Sequence, residues 1–168
     1  NSALKLELHY YIYEDCDVIT RSAKLINDGE NAVQIRRLMS CQVDFPTSDH
    51  VFTSFHGAWA REMRRWDVTV AAGKYVNASY TGTSSSRTNP SVMLSGRETT
   101  EDTGDCYGFN LVYSGNHYEA VEVNSYGKTR FVSGINPQNF CWQLPAGESF
   151  EAPEAVMAYS KAGYNGMS

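Results

Sequence analysis

With 168 residues, fourteen Lys and Arg against nineteen Asp and Glu, and a net charge of −5, the chain can bury one sizeable core. It lacks the basic surface that a general nucleic-acid binder needs. No apolar run approaches the roughly 20 residues that cross a bilayer, so neither nucleic acid nor membrane is an expected partner.

Residues 1–13 alternate apolar and polar side chains, unlike the basic-then-apolar pattern of a secretory leader. Leu4, Leu6 and Leu8 point one way, and Lys5, Glu7 and His9 the other, as on a half-buried strand. A turn at 14–17 leads into a strand over 18–26. The Asn-Asp-Gly-Glu-Asn run at 27–31 then reads as a hairpin turn, with Asp-Gly supplying the positive φ values. A long strand over 32–45 ends at Pro46. Residues 50–55 and 59–70 are expected as strands hinged at Gly57, although 60–66 is mildly helix-like. After a turn at 71–74, the polar stretch 81–89 lacks apolar periodicity and reads as a long loop ending at Pro90.

Strands over 107–113, 118–123 and 129–135 follow, joined by turns at 114–116 and 125–128. Segments 140–144 and 149–159 close the pattern. Many strands, short turns and no βαβ alternation predict one all-β antiparallel sandwich over 1–160. The glycine-bearing tail 161–168 reads as the start of a linker.

Eleven Tyr, seven Phe and three Trp beside many Val and Thr are strand-forming composition. Aromatic faces also suit sugar rings, while the plainer reading is a sheet core with cross-strand aromatic pairs. Cys16, Cys41, Cys106 and Cys141 are widely spaced, without the close pairs that structural zinc sites use. Free buried thiols in a cytoplasmic protein are the expectation, with no metal and no cofactor. The Asn77-Ala78-Ser79 sequon has meaning only outside the cytosol.

Candidate chemistry is sparse. Asp67 in Arg65-Trp66-Asp67 could act as a glycosidase carboxylate beside an indole, but three nearby arginines favour an ion pair. His117 and Glu119, two apart on a strand, face the same way and could do acid–base work on a sugar hydroxyl, as in a mutarotase-like epimerase. The plainer reading of that pair is an exposed strand face. Asp102 and Asp105 suggest a calcium loop only loosely, because their spacing departs from the EF-hand pattern. Exposed Trp59, Trp66 or Trp142 would be the contacts of a stand-alone carbohydrate-binding module.

Several stretches speak together: FHGAWARE at 55–62, SSRTNP at 85–90, GFNLVYSGN at 108–116 and GINP at 134–137. FCWQL at 140–144, FEAPE at 150–154 and Tyr159-Ser160 continue the series. In order and spacing they resemble the N-terminal domain of the α-galactosidases of glycoside hydrolase family 36. The resemblance implies a β-supersandwich of the galactose-mutarotase type, with opening strands preceding Asn1 and a (β/α)₈ barrel following. It implies hydrolysis of terminal α-galactosyl residues with retention, by two carboxyls about 5–5.5 Å apart in the barrel. No catalytic residue is then expected in this chain, whose partners would be that barrel, a galactosyl oligosaccharide and further copies of the protein. The resemblance points to His56, Trp59, Arg61, Arg87 and Asn89 as residues facing substrate or interface.

Overall fold

The computed structural model describes residues 3–167, which form fourteen strands and two short 3₁₀ turns. The first strands are β1 (Leu4–Tyr13), β2 (Val18–Asn27), β3 (Val33–Ile35), β4 (Met39–Phe45) and β5 (His50–Ala58). Next come β6 (Arg61–Thr69), β7 (Gly73–Ala78), β8 (Thr88–Gly96), β9 (Cys106–Leu111) and β10 (His117–Val123). The last are β11 (Thr129–Ile135), β12 (Trp142–Leu144), β13 (Ser149–Glu151) and β14 (Ala155–Ser160). The all-β antiparallel sandwich is as the alternation predicts.

The larger sheet has eight strands, in the order β1-β2-β14-β9-β8-β5-β6, with β13 also paired to β2. The facing sheet has only four, in the order β4-β11-β10-β7, and β12 and β3 make a separate ribbon. The stretch 32–45 is two strands rather than one, because its halves pair into different sheets: Val33–Ile35 with β12, Met39–Phe45 with β11. Residues 60–66 are extended, since pairing of β6 along β5 overrides their weak helical pattern.

Two strands escape the sequence reading. β7 begins inside the expected turn, and β8 begins inside the expected loop and runs through Pro90. That proline falls at a register shift between the pairs Ser54↔Val92 and His56↔Thr88, where a missing N–H is tolerated.

The main core lies between the sheets and includes Phe45, Phe52, Leu94, Phe109, Val121 and Phe131. Phe109 and Phe131 stack across the interface with centroids 3.9 Å apart. The outer face of the smaller sheet carries a cross-strand row of alternating charge: Lys74, Glu122, Arg130 and Asp44. Within it Arg130 grips Asp44 through bonds of 2.7 and 2.9 Å, and Lys74 lies 3.9 Å from Glu122. That face is built for water.

The other extremity is different. Four strands cannot cover eight, and β1 is left with Leu6, Leu8, Tyr10 and Ile12 exposed, Ile12 at 71%. Ile19 and Tyr159, on the same face of β2 and β14, extend this open apolar surface.

The described part of the tail, 161–167, is seated on the sandwich; Ser168, like Asn1 and Ser2, lies outside the described residues. Gly163 donates its N–H to Gly104 O, and Tyr164 N and Asn165 N donate to Thr100 O and Glu101 O. Gly163 has a φ of 65°, and a Cβ there would run into the Thr100 carbonyl, so glycine is needed twice over.

Candidate functional site

One end of the larger sheet gathers the residues that the sequence singles out. β5 and β6 meet in a tight turn at Trp59 and Ala60, where Ala60 has a φ of 60°. Gly57 is pressed between two backbones: a Cβ there would lie 2.7 Å from Arg61 O and 2.9 Å from Ser86 O. Its bare Cα lets the turn at 85–88 rest on the hairpin, and Gly57 N donates to Arg87 O at 3.3 Å. Ser85 and Thr88 bridge each other across that turn.

The result is a projecting tip. Trp59 is 93% exposed, Arg61 and Arg87 are exposed beside it, and Arg64 joins them from β6. Arg61, Arg64 and Arg87 make no ion pair among the described residues, so the tip is cationic as well as aromatic. Asn89 lies one step inside, its amide donating to Met63 Sδ at 3.1 Å and its Oδ1 accepting from Ser91 N at 2.8 Å. His56 is half-buried, with Nε2 2.9 Å from Ser54 Oγ, opposite Thr88 on β8. His56 and Asn89 are therefore tied into the fold, while Trp59, Arg61 and Arg87 are free to meet a ligand or another surface.

His117 and Glu119 sit behind this tip and are fully buried. The expectation of an exposed strand face is corrected, because both point inward between the sheets. A mutarotase-type role, which needs both groups at a sugar hydroxyl, has no surface to act from. Burial pushes the Glu119 carboxyl well above its ordinary range, with the Asn77 hydrogen bond opposing, and pushes His117 down to about 4. Asn77 Nδ2 donates to Glu119 Oε2 at 2.9 Å and to Asn89 O at 2.8 Å, tying β7, β10 and β8 together. Asn77 is 2% exposed, so its sequon offers no acceptor in the folded chain. The sequon does not signal this structural role, which emerges only from the register that sets Asn77 opposite Glu119.

The remaining candidates resolve into structural roles. Asp67 accepts from Thr53 Oγ1 at 2.6 Å and from Arg65 Nε at 2.9 Å, the ion pair that the nearby arginines favour. Asp102 accepts from Asn165 Nδ2 and Asp105 from Tyr159 OH, holding the tail and β14. No group of three or more His, Cys, Asp or Glu side chains converges among the described residues. The cysteines are all free, but only Cys41 and Cys106 are buried, which raises both thiols to about 11. Cys16 and Cys141 are exposed, contrary to expectation, because they fall in loops between strands. Trp66 lies on edge strand β6, whereas Trp142 is on the β12–β3 ribbon against Phe150 at 5.4 Å, so the three tryptophans form no common platform.

Comparison with known proteins adds the affiliation. The chain is 43% identical to "Alpha-galactosidase AgaA" of Geobacillus stearothermophilus over 98% of its own length and 23% of that enzyme. It is 41% identical to "Alpha-galactosidase Mel36A" of Lactobacillus acidophilus over 99% of its length and 23% of the relative. It thus spans about a quarter of the curated relatives it matches. The α-galactosidase crystal structure from Lactobacillus brevis superposes with a TM-score of 0.96 at 38% identity, covering 99% of this chain and 22% of that one. A structure of the Geobacillus enzyme in complex with stachyose superposes at 0.95 with 42% identity, covering 98% of this chain and 23% of that one. The profile described as "Glycosyl hydrolase family 36 N-terminal domain" matches residues 1–145, and the chain belongs to that family.

Proposed function

We propose that this chain is the non-catalytic sandwich portion of a retaining α-galactosidase that removes terminal α-D-galactosyl residues from oligosaccharides. It packs on a catalytic barrel of the same protein and helps to shape the substrate entrance. The observation that carries the reading is the 43% identity over 98% of the chain to an α-galactosidase of which it makes up only 23%.

Two surfaces support the division of labour. The open apolar strip of β1 is the kind of face that a further piece of the protein covers. The tip of Trp59, Arg61 and Arg87 combines an indole, which can lie on a sugar ring, with guanidinium donors for hydroxyls. Both carboxyls of the retaining reaction belong to the barrel in the family, so this chain supplies position and access rather than the displacement itself. Edge strand β6, exposed along its length, is suited to contacts between copies of the protein.

The chain alone is expected to show no turnover of a nitrophenyl α-galactoside, while the intact protein turns it over. In the intact protein, Trp59→Ala or Arg87→Ala is expected to raise KM for an oligosaccharide roughly fivefold with kcat little changed, the signature of one lost contact of about 1 kcal/mol. Turnover by the purified chain would sink the proposal, and so would a parent protein inactive on every α-galactoside tried.

A further inference from the structure

The buried row behind the tip holds more polar groups than it has visible partners. Glu119 Oε1, His117 Nε2 and Asn77 Oδ1 are each buried without a hydrogen bond, and so is Ser133 Oγ, opposite Glu119 on β11. Orphans of this kind are costly, and four in one place need an explanation.

The proton positions follow from Ser84. Its Oγ lies 2.8 Å from Gly115 O and 2.9 Å from His117 Nδ1. A carbonyl oxygen only accepts, and a serine hydroxyl has one proton, so that proton goes to Gly115 O. His117 Nδ1 must then donate to Ser84 Oγ, because the reverse would set two acceptors against each other at 2.8 Å. With a proton fixed on Nδ1, a neutral His117 presents a bare lone pair at Nε2. That lone pair lies 3.5 Å from Glu119 Oε2, the long limit of a hydrogen bond. An ionised Glu119 would oppose it with a second lone pair, in a site closed to water.

The geometry points to a single proton held between Glu119 and His117, taken up when the chain folds, which fastens residues 79–87 onto the sandwich. The fastening runs through two bonds. His117 holds Ser84, whose backbone N–H also reaches Ser114 O, and Asn77 ties Glu119 to the backbone of Asn89 where β8 begins. Other titratable groups near the pair are His56 on β5, which repels a charged His117, and Cys41 and Tyr75 on the inner faces of β4 and β7. Among the described residues no Lys or Arg lies on the faces of β4, β5, β7, β8, β10 or β11 that turn toward the pair. Lys74 and Arg130 are on the outer face, and Arg87 is exposed. Arg21 of β2 reaches Cys41 and the Gln42 carbonyl on β4 rather than Glu119, so no fixed cation neutralises a carboxylate there.

Glu119, raised on folding, contributes stability that is complete below its ordinary value of 4.5 and is lost as pH rises. His117, lowered on folding, contributes stability that is complete above 6.5 and is lost as pH falls toward about 4. Between 4.5 and 6.5 the unfolded pair also carries one proton, so the two slopes cancel. Above 6.5 the unfolded pair carries none, and for as long as the folded pair keeps its proton the folding equilibrium falls about tenfold per pH unit on this account.

Urea unfolding of the full chain between pH 5 and 8.5, for wild type and Glu119→Gln, tests this directly. Glutamine keeps the size and polarity of the site but cannot titrate. From pH 7 to 8 the wild-type folding constant is expected to fall about tenfold while that of the variant stays level. From pH 5 to 6 the wild-type constant stays level, while that of the variant, which keeps His117 without Glu119, rises as His117 of the unfolded chain loses its proton. Exchange of the Ser84 amide should also rise more steeply with pH in wild type than in the variant. Parallel pH profiles would overturn the proposal. Should Glu119→Gln fail to fold, nitrogen-15 spectra of the wild-type His117 ring decide. A neutral ring protonated at Nδ1 at pH 7 upholds it, and a neutral ring protonated at Nε2 refutes it.

Discussion

Arg65 shows how much one half-exposed side chain can organise. Its Nε donates to Asp67, which also accepts from Thr53; its guanidinium lies 4.0 Å from the centre of the Tyr164 ring and 3.7 Å from Glu101. Tyr164 in turn exchanges a hydrogen bond with Ser95 at 2.8 Å. Each exposed contact is small, an ion pair adding about 0–1 kcal/mol and a cation–π contact about 0.5–1 kcal/mol. Together they help to hold the tail against the larger sheet, where it also meets β8, β9 and β14. Arg65→Ala is therefore expected to cost about 1–2 kcal/mol of global stability yet to open the tail selectively. Limited proteolysis should cut within 161–167 much faster in the variant, and a global loss of protease resistance with no preference for the tail would contradict this role.

Among the elements, β11 carries the centre of the core. Phe131 is fully buried, stacks on Phe109 of the opposite sheet and lies beside Val121 across β10. Phe131→Ala removes that bridge between the sheets and is expected to cost about 3–5 kcal/mol, read as a drop in the urea midpoint with an unchanged slope. Strands like this one were legible in the sequence, because Phe131 and Ser133 alternate with Arg130 and Val132 at the strand period. β7 and β8 were not. Gly73 and Lys74 read as turn residues, and Pro90 and Asn89 as loop residues. Both strands are fixed by long-range partners, β10 for one and β5 with β9 for the other, which no local window contains. The site divides in the same way. The motifs around Trp59 and Arg87 were visible as sequence, but Asn77 and Ser84 were not, since their roles depend on cross-strand register and on a serine reaching an imidazole 33 positions away.

The whole molecule is lopsided. One outer face is a ladder of paired charges, and the edge of the larger sheet along β1 leaves Leu6, Leu8, Tyr10 and Ile12 in water. A patch of that kind is a liability in isolation and a contact surface in a larger body. Replacing Leu6 and Ile12 together with Ser is expected to leave the thermal midpoint of the chain alone almost unchanged, within about 0.5 kcal/mol per site, while reducing its self-association. In the intact protein the same pair should lower assembly or activity; a large loss of stability in the chain alone would show that β1 is internally supported after all.

The open strip has a consequence for how this sequence changes over generations. Residues of the core answer to the sandwich itself, so variants there are rejected wherever the domain is made. Under the proposed packing, those of β1 answer to a neighbour: their side chains should drift only in step with the surface they meet, and a sandwich moved into a new protein would keep its core while its β1 strip is rewritten.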